Sequence, residues 1–71
     1  MTITLYKNNK PIKSYEDIIK VEPDKKYKYF VIHQKIYHHE IIFIKRFDEV
    51  DKIITVEKGR FDTKITKEIT I

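Results

Sequence analysis

Cysteine is absent from this 71-residue chain, so disulfides, thiolate zinc sites and a thiol nucleophile are all excluded. The absence also suits a reducing compartment. Alanine, the strongest helix former, is missing too, and leucine, methionine and glutamine occur once each. One glycine cannot build a phosphate-cradling loop. Ser14 is the only serine and has no flanking glycines, which removes a nucleophile elbow. No apolar run approaches the ~20 residues that span a bilayer; the longest, Ile41-Ile42-Phe43-Ile44, has four. The opening Met1-Thr2-Ile3-Thr4-Leu5 lacks the basic head, long apolar middle and cleavage site of a secretory signal. Together these absences predict a cytoplasmic protein that is not an enzyme, takes no cofactor and does not enter a membrane.

What is present favours strands. Isoleucine, valine, threonine, tyrosine and phenylalanine account for 33 of the 71 residues, and these side chains pack well on a pleated surface. A chain this short buries only about 60% of its unfolded surface, so its core is marginal and a partner subunit would help it. The expectation is a single all-β domain over 1–71, an antiparallel sheet of about five to seven strands in a small barrel or sandwich. One short helical turn is allowed within it.

Turn signals punctuate the chain. Thr2-Ile3-Thr4-Leu5-Tyr6 alternates, Asn8-Asn9 suits a tight left-handed turn, and Pro11 to Tyr15 returns as a strand. Ser14 to Lys20 reads as a bend or a short capped helical turn, followed by a strand from Ile18 to Glu22. Glu22-Pro23-Asp24-Lys25 fits a type I turn. Lys26 to His33 is the next strand, with Tyr27, Tyr29, Val31 and His33 on one face and Phe30 and Ile32 on the other. Gln34-Lys35 then joins it to a strand over Ile36–Ile44, although neither residue accepts a positive φ cheaply. Phe47 to Asp51 is a polar bend, Lys52 to Glu57 a strand, and Lys58-Gly59 a hairpin with glycine in the left-handed position. Thr63 to Ile71 alternates most cleanly, with Ile65, Ile69 and Ile71 inward, and predicts a terminal strand paired in this subunit or a neighbour.

Charge is uneven. The net +4 divides into +3 over residues 1–14, −3 over 15–24, +5 over 25–46 and −1 over 47–71. A basic surplus attracts anionic partners, although lysines also keep small sheets soluble and blunt their edges. Lys25, Lys26, Lys28, Lys35, Tyr37, Lys45 and Arg46 are the candidate residues for a protein or nucleic-acid partner. Tyr27 and Tyr29 could stack bases, but alternation points them away from Lys26 and Lys28, and no RNP-like motif accompanies them. His33, His38 and Glu40 share a face in the register set by a Gln34-Lys35 turn, which makes them candidate metal ligands, but solvent-facing strand residues are the better explanation of them and no metal site is expected. Asp48, Glu49 and Asp51 resemble an acidic metal cluster, yet in a turn such groups usually accept nearby backbone N–H bonds.

Ile3-Thr4-Leu5-Tyr6-Lys7-Asn8-Asn9-Lys10-Pro11-Ile12 and Val50-Asp51-Lys52-Ile53-Ile54-Thr55-Val56-Glu57 resemble the small β-hairpin proteins of phages and mobile elements from AT-rich bacteria. That resemblance implies a cytoplasmic accessory protein that inhibits a host enzyme or defence complex, as anti-CRISPR proteins do. It assigns no residue. The expected function is stoichiometric binding of a protein; nucleic-acid binding through the basic central hairpin is the alternative, and a homodimer is compatible with either.

Overall fold

Period-two alternation carries through to the fold. The computed structural model describes residues 1–71 as seven strands and one 3-10 turn. The strands are β1 (Thr2–Lys7), β2 (Lys10–Tyr15), β3 (Ile18–Asp24), β4 (Tyr29–Ile36), β5 (His39–Arg46), β6 (Lys52–Lys58) and β7 (Lys64–Thr70). Every pairing is antiparallel. They form a four-stranded sheet in the order β2-β1-β6-β7 and a three-stranded sheet in the order β3-β4-β5. The chain is therefore all-β, and no helix in it is long and apolar enough to cross a membrane.

One small core joins the sheets. Ile3, Leu5 and Ile53 come from the larger sheet, Ile18, Phe30 and Ile32 from the smaller, and Val50 from the β5–β6 connection. Each such side chain contributes roughly 1.5–3 kcal/mol on burial. Tyr15 of β2 packs on Phe43 of β5 with ring centroids 5.1 Å apart, and Phe47 packs on Phe30 at 4.9 Å. Of the inward-facing isoleucines expected in the last strand, Ile69 reaches this core, while Ile65 and Ile71 stay exposed beyond its rim.

Three turns differ from the sequence-based expectation. The β4–β5 hairpin turns at Tyr37-His38, not Gln34-Lys35, and both residues take positive φ, 48° and 70°. This register sets Ile32 opposite Phe43 and Gln34 opposite Ile41. The earlier turn would have put Ile32 opposite Tyr37 and Phe30 opposite His39. Burying Phe43 against Ile32 outweighs poor turn chemistry, because register follows the hydrophobic pattern. The second difference concerns Pro23, which lies within β3 opposite Phe30 instead of in a type I turn. Lys35 donates its N–H to Asp17 on the β3 side, so the odd residues of β4 bond to β3 and Pro23, opposite an even one, aims its nitrogen at open solvent. That is the position an edge-strand proline tolerates.

The real turn is Lys25–Lys28, closed by the Lys28 N–H donating to the Asp24 carbonyl at 2.9 Å. Tyr27 consequently lies in the turn and not in a strand. The Asp24 carboxylate caps it, accepting N–H bonds from Lys26 at 3.0 Å and Tyr27 at 3.1 Å. Asp24→Ala should cost about 1 kcal/mol, read as a lower urea midpoint, whereas Asp24→Asn should retain most of the stability.

The glycine hairpin also departs from expectation. Gly59 sits at φ −88°, and the left-handed positions fall on Phe61 at 57° and Asp62 at 61°. Gly59 is needed for space instead, because a Cβ there would run into the Thr63 hydroxyl. Asn8 and Asn9, by contrast, take the left-handed turn expected of them, at 54° and 63°.

Candidate functional site

The hairpin connections gather at two opposite ends of the sandwich. At one end the Asn8 N–H donates to Asp51 Oδ2 at 3.0 Å, and the Phe47 N–H to the Lys28 carbonyl at 2.9 Å. At the other, the Asp17 carbonyl accepts from Lys35 at 2.9 Å and the Glu16 carbonyl from Gln34 Nε2 at 2.9 Å. Glu16 and Asp17 border two shallow hollows there, one shared with Gln34 to His38 and the other with Val56 to Lys58. The β4–β5 and β6–β7 tips therefore flank the same β2–β3 corner.

This geometry splits the sequence-selected basic residues. Lys25, Lys26, Lys28, Lys45 and Arg46 lie at the first end, while Lys35 and Tyr37 lie at the second, roughly 25 Å away along an eight-residue strand. At the basic end Tyr27 and Tyr29 stack with centroids 6.0 Å apart and planes 20° from parallel, and Lys26 Nζ lies 5.3 Å from the Tyr27 centroid. Acidic groups interrupt the surface. Arg46 Nε contacts Asp48 at 3.2 Å and Glu49 at 3.0 Å. Lys45 shares the core-facing side of its strand with Phe43 and is half-buried.

The other end carries two exposed aromatic side chains, Tyr37 at 89% and Phe61 at 97% exposure. Both occupy left-handed backbone, φ 48° and 57°, a conformation that costs a non-glycine residue about 1 kcal/mol. Neither contributes to the core, so folding gives no reason for an aromatic at either place. Strain of this kind persists where surrounding structure imposes it, often for a functional reason. Sequence reading selected Tyr37 and missed Phe61. The signal was available, since Gly59-Arg60-Phe61-Asp62-Thr63 puts an aromatic among turn residues.

Of the three candidate metal ligands, two meet. His33 Nδ1 and Glu40 Oε1 are 2.9 Å apart, because His33 lies opposite Ile42 and Glu40 opposite Lys35 on the same outer face. His38 sits instead in the turn, and no group of three His, Asp or Glu side chains comes together in a ligating arrangement. The Asp48–Glu49–Asp51 cluster is likewise divided between Arg46 and the Asn8 N–H. No protein-family model, curated protein or solved structure matches the chain.

Proposed function

We propose that this chain acts in the cytoplasm by stoichiometric binding to a protein, without catalysing a reaction, as a small phage- or mobile-element-type inhibitor or regulator does. The observation that supports this reading is the pair of solvent-exposed aromatics at one end, Tyr37 and Phe61, each held in an unfavourable backbone conformation. Aromatic anchors dominate the energy of protein interfaces, and rigid hairpin tips present them with little entropy to lose. The adjoining Glu16 and Asp17 supply a polar rim.

The test is capture of a partner from host cytoplasm. Wild-type protein should retain a partner that survives nuclease treatment, and Phe61→Asn should lose it while melting no lower than wild type, since asparagine tolerates left-handed backbone. Undiminished capture by Phe61→Asn together with Tyr37→Asn would remove this end from the interface.

Nucleic-acid binding has one specific observation in its favour, the stacked Tyr27–Tyr29 pair beside Lys25, Lys26 and Lys28. Were that the function, affinity for single-stranded DNA or RNA would fall steeply with salt, and Tyr27→Ala would weaken it. Absence of binding at low salt eliminates it.

A further inference from the structure

Four strands have an open edge, and three of them are blunted. β2 carries Pro11 and a register shift against β1. β3 carries Pro23 and a shift between Ile18 and Lys20. β7 turns Lys67 towards the inner face, opposite Thr55. Prolines, bulges and inward charges are the devices that keep sheet edges from pairing with other chains. β5 differs. Its eight residues run in unbroken register with β4 and contain neither proline nor glycine. Its centre is Ile41-Ile42-Phe43-Ile44, with Ile42 60% and Ile44 51% exposed.

The direction of the free backbone groups follows from the ladder. The Phe47 N–H bonds to the Lys28 carbonyl, and Lys35 bonds to the β3 side. Hydrogen-bonded and non-bonded pairs alternate along an antiparallel ladder, so Phe43 and the other odd residues of β5 bond to β4. Glu40, Ile42 and Ile44 turn their N–H and C=O groups to the open edge. Arg46 offers its N–H there, while its carbonyl accepts from the Glu49 and Val50 N–H groups at 3.0 Å. All four side chains occupy the outer face of the sheet.

We infer that β5 pairs with β5 of a second copy of this chain, about a two-fold axis through Phe43. A two-fold axis perpendicular to the sheet keeps outer faces together and requires each residue to meet one of the same parity. With Phe43 opposite its own copy, Ile42 meets Ile44 and Glu40 meets Arg46 of the other chain. The outward sequence Glu40–Ile42–Ile44–Arg46 is then complementary to itself in both hydrophobicity and charge. Arg46 uses Nε for Asp48 and Glu49, which leaves its other guanidinium donors for the opposing carboxylate. The product is one continuous six-stranded sheet, with the Tyr37–Phe61 end of each copy outside the seam. The inference is independent of the functional reading above.

Sedimentation and cross-linking of the full chain test it. The wild type should sediment at twice its 8.7 kDa mass, and Ile42→Lys should weaken association roughly tenfold or more without altering the strand signal in circular dichroism. Glu40→Arg sets like charges face to face and should also weaken the dimer; adding Arg46→Glu should restore it. That rescue can only act between copies, because the two residues lie about 20 Å apart on one strand. The chain has no cysteine of its own, so a mixture of Ile42→Cys and Ile44→Cys chains should cross-link faster than either alone. A monomer up to about 1 mM, or a dimer indifferent to Ile42→Lys, or no rescue by the charge swap, would overturn the assignment.

Discussion

Phe30→Ala should leave much of the chain unfolded at room temperature. Phe30 is the largest fully buried side chain, and it joins the three-stranded sheet to the β5–β6 connection through Phe47. Truncating such a residue removes about 3–5 kcal/mol, the transfer free energy plus the cavity left behind. Ordinary domains are stable by about 5–15 kcal/mol, and a chain of this length with seven apolar residues in its core belongs near the lower limit. Urea titration followed by circular dichroism measures the loss. A midpoint close to that of wild type would mean that Phe30 is not the centre of the core.

Replacing Tyr37-His38 by Asn-Gly should have the opposite effect on stability. Both residues occupy left-handed backbone, and Asn-Gly is the pair that two-residue hairpins prefer. Relieving two unfavourable positions should raise stability by about 1–2 kcal/mol, which at this size moves the melting temperature by roughly 4–8 °C per kcal/mol. On the proposed function, the same variant should bind its partner worse despite its greater stability. That separation is informative, since a merely structural Tyr37 would not produce it. Lower stability in this variant would place the turn elsewhere in the chain.

The parts of the fold that could be read from sequence were those where local chemistry and packing agree. Thr2–Tyr6 alternates and ends in two asparagines suited to left-handed backbone; β1 and its turn follow. The terminal alternation likewise produced β7. Where local signals were weak, packing decided. Neither Gln34-Lys35 nor Tyr37-His38 is a good turn pair, so only the contact of Phe43 with the inner face selects the register, and that contact links distant parts of the sequence. Pro23 looked like a turn former because a proline reads the same in a turn and on an open edge. Gly59 looked like the left-handed residue, but backbone geometry put that burden on Phe61.

The candidate surface was legible only in part. Lys25, Lys26 and Lys28 were chosen for charge and do lie together, yet Lys35 and Tyr37 belong to the far end, because the strand between them separates them in space. His33 and Glu40 were expected to share a face, and they do so under a different register. Both turns give odd-numbered pair sums, so the faces are unchanged while the partners shift. His38 was lost from that group because it moved from strand to turn. The self-complementary edge of β5 could not be recognised before the register was known, since residue parity alone does not say which strand remains unpaired.

Both the Tyr37 tip and the open β5 edge depend on how β4 meets β5, and cross-strand nuclear Overhauser effects measure that directly. Opposed α-protons approach closely at non-hydrogen-bonded pairs of an antiparallel ladder. Contacts between the α-protons of His33 and Ile42, and of Val31 and Ile44, are the expected result. Contacts between the α-protons of Ile32 and Tyr37 instead, the non-hydrogen-bonded pair next to a Gln34-Lys35 turn, would contradict the structure, taking Tyr37 out of the turn and breaking the match between Glu40 and Arg46.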